Sequence, residues 1–266
     1  MTINLNGKTR LFPLLGDPVA YARSPDWLSR RMAERGLNMI SIPLEVPDGC
    51  LAEVIEGLAA IKNVDGFSLT MPHKHTGFKH CATHSEASQL LSVVSAARRN
   101  PDGSWHGHTT DGDAFVKAQL DHGATVENAR VLVIGAGGAG SAIAISMLNH
   151  GAAEVAIHDI EPGLADGLVK RLAARGENRV VVGDNHPAGF DLICNATPLG
   201  MKEGDPVPLD TSQLDSTMFV GDVVAGHGST PLISAAREAG CQTADGDAMV
   251  IAVLDVMCDF LEKSWR

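Results

Sequence analysis

The chain has 266 residues, 44% of them hydrophobic and 20% charged, with 28 Gly and aromatic content limited to 3 Trp, 1 Tyr and 7 Phe. A formal net charge of −11 opposes any sequence-independent pull toward nucleic-acid phosphates or an anionic membrane, and so few rings make a base-stacking platform a poor expectation. The length suits one large domain or two modest ones, and five Cys without C-x-x-C spacing predict reduced thiols rather than a disulfide or zinc framework.

The N-terminal MTINLNGKTRLF has neither the basic start nor the long apolar run of a signal peptide, so a cytoplasmic protein is expected. Strand-length apolar runs fall at Leu11–Gly16, Met39–Pro43 and Val64–Thr70. Between them, Ser24–Arg35 reads as a helix with Ser24 as N-cap, Pro25 at N1 and Gly36 past its end. Leu51–Ala60 is a second helix, with Leu51, Val54, Ile55 and Leu58 on one face. This βαβαβ alternation predicts a mostly parallel sheet covered by helices. A turn at Asn100–Gly103 separates extended pieces at Val93–Arg98 and Ser104–His108, and a helix from Asp111 to His122 follows.

A second alternation then begins. Its strands are expected at Val131–Gly135, Glu154–Asp159, Val180–Gly183, Asp191–Asn195 and Met218–Val223. Its helices fall at Gly138–His150, Gly163–Ala174 and Pro231–Ala239, and Asp247–Phe260 forms a last helix. Val131 to Ala153 runs 23 residues without Asp, Glu, Lys or Arg, but the glycines inside it mark a strand turning into a helix, not a membrane span. The reading is an α/β protein of two domains. Residues 1–110, with 246–266 returning, form a substrate-binding catalytic domain, and 111–245 form a Rossmann domain.

Gly135, Gly137 and Gly140 supply G-x-G-x-x-G between strand and helix. The first glycine permits the tight turn, the second admits a pyrophosphate to the backbone, and the third lets helix pack on strand. Asp159 lies 19 residues beyond Gly140, near the spacing of a ribose-binding carboxylate. With no Arg or Lys in His158–Gly163 to hold a 2′-phosphate, the expected cofactor is NAD. Lys74, just after Pro72 at an expected helix start, reads by position as a solvated surface lysine or as a partly desolvated one suited to proton transfer, and position alone leaves both open.

Taken together, the landmarks resemble the shikimate dehydrogenase family, including its quinate-using relatives. Gly66, Thr70, Pro72 and Lys74 match G-x-N-V-T-x-P-x-K, and Thr110-Asp111-Gly112 match N-T-D-G. Gly135-Ala136-Gly137-Gly138-Ala139 match the glycine loop, and Asn195 to Met201 match N-A-T-P-L-G-M without change. Thr230-Pro231-Leu232, Gly246 with Met249, and Gly16, Pro18, Val19, Ser24 and Pro25 complete the series in family order.

The resemblance implies a catalytic pair, Lys74 and Asp111, and substrate contacts from Ser24, Ser68, Thr70 and Ser95. It implies cofactor contacts from Gly135, Gly137, Gly138, Ala139, Gly140, Asp159, Asn195, Thr197, Pro198, Met201 and Gly246. The activity implied is interconversion of shikimate and 3-dehydroshikimate, or of quinate and 3-dehydroquinate. Family positions that usually carry polar side chains hold Ala22, Ser68, Ser95, Ala225 and Val253 here. Another cyclic hydroxy acid therefore stands as an alternative substrate, and a non-catalytic dinucleotide-linked sensor as an alternative of another class. The partner expected is a small hydroxy acid. A homodimer is entertained, although nothing in the sequence sets the oligomeric state. Of the 11 His, His73 and His75 flank Lys74 and are weighed as substrate contacts; no metal site is expected. Tyr21 is weighed as a pocket cover, and His227 has no assigned role.

Overall fold

The computed structural model describes residues 5–20, 22–226 and 228–262; Tyr21 and His227 lie outside them. The described chain divides into two compact units. One holds residues up to Thr110 together with Leu254 onward, and the other holds Asp111–Val253.

The first unit contains β1 (Arg10–Leu11), β2 (Leu14–Gly16), α1 (Ser24–Glu34), β3 (Met39–Ile40), β4 (Pro43–Glu45) and α2 (Leu51–Ala60). It continues with β5 (Gly66–Leu69), α3 (Lys74–Phe78), β6 (Thr83–His84), α4 (Glu86–Leu91), β7 (Ala96–Arg99) and β8 (Trp105–His108). Its main sheet runs β4-β2-β5-β7-β8-β6; β4, β2 and β5 are parallel, while β7 is antiparallel to both β5 and β8.

Two predicted strands are each split in two. Pro13 interrupts Leu11–Gly16, so β1 pairs with β3 while β2 pairs with β4 and β5. Met39–Pro43 breaks at Ser41, whose backbone bonds to the Ser29 hydroxyl instead of a neighbouring strand: its N–H donates at 2.9 Å and its carbonyl accepts at 3.1 Å. The core beneath the sheet includes Leu15, Val64, Phe67 and Trp105, the last two rings meeting edge-on at 5.1 Å.

The second unit contains α5 (Asp111–Asp121), β9 (Arg130–Ile134), α6 (Gly138–Asn149), β10 (Glu154–His158), α7 (Pro162–Ala173), β11 (Val180–Val182) and β12 (Leu192–Asn195). After these come β13 (Phe219–Asp222), α8 (Pro231–Glu238), β14 (Gln242–Ala244) and α9 (Gly246–Glu262), whose last turns belong to the first unit. The sheet is parallel throughout, ordered β11-β10-β9-β12-β13-β14. Numbered within the unit this is 3-2-1-4-5-6, the doubly wound order, with its switch point between β9 and β12. Helix α6 is apolar nearly all round because sheet and α5 cover it: residues Ser141–Leu148 are all buried. Gly112 makes that packing possible, since a Cβ there would stand 2.2 Å from the Ala142 carbonyl oxygen.

The five Cys are unpaired. Among the described residues no helix is long and apolar enough to cross a membrane, and no cluster of three or more His, Cys, Asp or Glu could hold a metal.

Candidate functional site

In the second unit the switch point opens a cavity of about 360 Å³ lined by Gly135, Gly137, Asp159, Thr197, Pro198 and their neighbours. Each glycine of the loop has its own physical reason. Gly135 sits at φ +101°, and a Cβ there would also crowd the Ala196 carbonyl at 3.0 Å. Gly140 packs so closely that a Cβ would lie 1.8 Å from the Gly135 carbonyl oxygen. Gly137 and Gly138 face open space, with nothing within 4 Å of where a Cβ would stand. The N-terminus of α6 is therefore bare backbone, with no side chain capping it, which is the cradle a pyrophosphate needs.

The segment after β12 is held from below. Asn195 is 0% exposed, and its side chain is consumed internally. Its Nδ2 donates to Asp222 at 2.9 Å, and its Oδ1 accepts from the Thr197 N–H at 3.0 Å and the Thr197 hydroxyl at 2.7 Å. Asp222 also accepts from Thr230 Oγ1 at 2.7 Å and from the Val224 N–H at 3.0 Å; burial pushes its carboxyl upward from the ordinary value. Asn195 thus shapes the loop that presents Thr197 and Pro198 and is not itself at the cavity. Met201 is exposed away from the lining, and Ala139 follows Gly138 in the first turn of α6. Gly246 serves packing: a Cβ there would meet the Val224 carbonyl at 2.3 Å. The sequence reading missed the apolar lining. Ile160 and Leu164, exposed large side chains just past Asp159, were the available signal.

In the first unit, strand direction gathers the candidate residues on one sheet edge. Parallel β2 and β5 end there at Gly16 and Leu69, antiparallel β7 begins there, and β8 ends there at His108. Ser68 and Thr70 flank the end of β5, with Ser68 buried and Thr70 half-buried. The Thr70 N–H donates to the Leu15 carbonyl at 3.0 Å, and its own carbonyl accepts from the His73 N–H at 2.9 Å. Helix α3 starts at Lys74 itself and not at Pro72; Lys74 is half-buried.

His73 is buried, with Nε2 2.7 Å from the Val46 carbonyl oxygen, so it anchors the position just before Lys74. His75 is exposed, with Nδ1 3.2 Å from the Ser92 carbonyl oxygen. Ser24 is exposed but caps nothing: Arg23 already has helical dihedrals and occupies the N-cap position. Ser95, expected at the substrate, directs its hydroxyl to Thr110. Asp111 opens α5, the first element of the other unit.

The comparisons with known proteins bear on both units. Residues 14–95 match the model for the shikimate dehydrogenase substrate-binding domain. A shikimate dehydrogenase (NADP(+)) of Rubrobacter xylanophilus is 36% identical over 253 residues, covering 93% of this chain and 88% of that protein. One from Geobacter metallireducens, likewise named for NADP(+), is 31% identical, covering 94% and 90%. Among solved structures, the Listeria monocytogenes shikimate 5-dehydrogenase in complex with shikimate and NAD superposes with a TM-score of 0.84 at 27% identity, covering 100% and 99%. A ligand-free 5-ketofructose reductase of Gluconobacter reaches the same TM-score at 25% identity, covering 97% and 99%.

The expectation of NAD is overturned by the curated sequence relatives, which are named NADP(+) enzymes. The structure supplies the physical reason why the acid misled. Asp159 uses one carboxylate oxygen to accept the Ala136 N–H at 2.7 Å and the other to accept the Glu161 N–H at 2.8 Å. Its place at the end of β10 is accounted for by the loop it ties down, so spacing alone carries no cofactor choice.

Proposed function

This chain belongs to the shikimate dehydrogenase family, and on that premise we propose that it interconverts shikimate and 3-dehydroshikimate, with the first unit holding the hydroxy acid and the second a nicotinamide dinucleotide. The observation that carries this reading is the presence in one chain of two features: a bare glycine loop at a doubly wound switch point, and a lysine at the strand ends of the family's substrate-binding domain.

Oxidising a secondary alcohol removes a hydride from carbon and a proton from oxygen. A bound dinucleotide supplies the hydride acceptor. Lys74 takes the hydroxyl proton as general base and returns it in the reverse direction. Asp111, which the family resemblance assigns to the same step, accepts a hydrogen bond from the substrate hydroxyl. Ser68 and Thr70, at the end of β5, and Ser24, at the start of α1, offer hydroxyls to the acid's oxygens. The loop Gly135–Gly138 receives the pyrophosphate common to both nicotinamide cofactors, and Thr197 and Pro198 border it.

The test is initial-rate oxidation of shikimate and of quinate with NADP(+) as oxidant. The reading expects shikimate-dependent reduction of the dinucleotide, with shikimate ahead of quinate in kcat/KM. Tight dinucleotide binding with no turnover of either acid would favour a sensor instead.

A further inference from the structure

We propose that the dipeptide Val94–Ser95 is the positioning device of the catalytic pair: it ties down the backbone at Lys74 and, through Thr110, the point from which the chain continues into Asp111. The inference rests on the assignment of Lys74 and Asp111 as the proton-handling groups.

Five backbone and side-chain bonds converge on these two residues. The Val94 N–H donates to the Lys74 carbonyl at 2.9 Å, holding the first residue of α3 to the head of β7. The Ser95 N–H donates to the His108 carbonyl at 2.9 Å, and the Ser95 carbonyl accepts from the Leu69 N–H at 2.8 Å, so Ser95 is locked to the ends of β8 and β5. Its hydroxyl then accepts the Thr110 N–H at 2.8 Å and meets Thr110 Oγ1 at 3.0 Å. Ser95 is 3% exposed and Thr110 1%, so water does not replace these bonds when they are lost. Both bonds of the hydroxyl go to Thr110, which is the chemistry of a clamp. Because catalytic groups misplaced by an ångström cost about a hundredfold in rate, a clamp one residue from Asp111 acts on turnover more than on affinity.

The test is steady-state kinetics with shikimate and dinucleotide on Ser95→Ala, Thr110→Val, Thr110→Ser and Asp111→Asn. The expected result for Ser95→Ala is a fall in kcat of about tenfold to a hundredfold, with KM for shikimate within about threefold. Thr110→Val, which keeps the N–H bond and loses only the hydroxyl, falls by less, and Thr110→Ser restores the rate. A raised KM with kcat preserved in Ser95→Ala would make Ser95 a substrate ligand and overturn the proposal. So would unchanged kinetics in Ser95→Ala while Asp111→Asn is inactive. If Ser95→Ala does not fold, the Thr110 variants decide: equal rates for valine, serine and wild type overturn the clamp. Full activity of Asp111→Asn is the separate outcome in which the underlying assignment of Asp111 fails and takes the clamp with it.

Discussion

The glycine cleft of the second unit and the lysine edge of the first both present polar groups at strand ends, by opposite routes. The glycine loop of the cleft is built locally: one strand, one turn and one helix, contiguous from Arg130 to Asn149, supply the turn, the opening and the close packing. The lysine edge is assembled from the ends of β2, β5 and β8 and the start of β7, brought together by a mixed sheet. In the glycine loop, a residue's type and spacing state its role. On the edge, roles depend on partners far away in sequence, so a serine can be a ligand or a clamp with no change in its local pattern.

The largest expected effect probes the edge. Lys74→Ala should lower turnover by at least ~10²-fold, the usual worth of a positioned acid or base, with the melting temperature little changed because Lys74 is only half-buried. Unaltered turnover would remove the lysine from the chemistry. Next comes a pair that sharpens the comparison from within the cleft. Gly140→Ala should destabilise the fold by about 3 kcal/mol, since the new methyl meets backbone and not a flexible side chain. Gly137→Ala should leave stability alone and weaken dinucleotide binding, because its methyl enters open space. Equal melting temperatures for the two would contradict the division of labour between these glycines. A smaller effect is expected for Asp159→Asn. Placing an amide opposite one of two backbone N–H donors should weaken dinucleotide binding about tenfold by loosening the loop, read by titration.

The smallest effect lies away from both sites. Burial, then the charges of Arg98, His108 and His84, push the His106 imidazole down to about 4 from an ordinary 6.5. His106 stays neutral in the folded chain while the unfolded chain protonates it, so stability is complete above 6.5 and falls as the pH drops toward 4. His106→Gln should make the acid-side fall in melting temperature shallower; an unchanged slope would show that other groups set it.

What was legible in the sequence follows the same line. Helices α1, α2 and α5 to α8 stand within a residue or so of their apolar periodicity, because one covered face writes that period into the chain. The parallel sheet of the second unit follows from the alternation of strand and helix, although its edge strand β14 was not among the expected ones. The breaks at Pro13 and Ser41 were not legible, the second because it depends on the Ser29 hydroxyl, 12 residues away. Helix α4 hides behind a short polar stretch, although Ser85 caps it by accepting the Ser88 N–H at 3.3 Å. At the sites, the reasons for Gly135 and Gly140 are local, whereas Asn195, His73 and Ser95 make hydrogen bonds to residues 15 to 27 positions away that no motif displays. Asp159 misled for the same reason: its partners, Ala136 and Glu161, are backbone donors that no residue type reveals.

The central claim is tested most directly by product analysis of the purified chain with shikimate and NADP(+), measuring 3-dehydroshikimate and reduced dinucleotide in one reaction. The account predicts that both form, mole for mole. Reduction of the dinucleotide without 3-dehydroshikimate, or no reaction by a chain that binds both ligands, would contradict it.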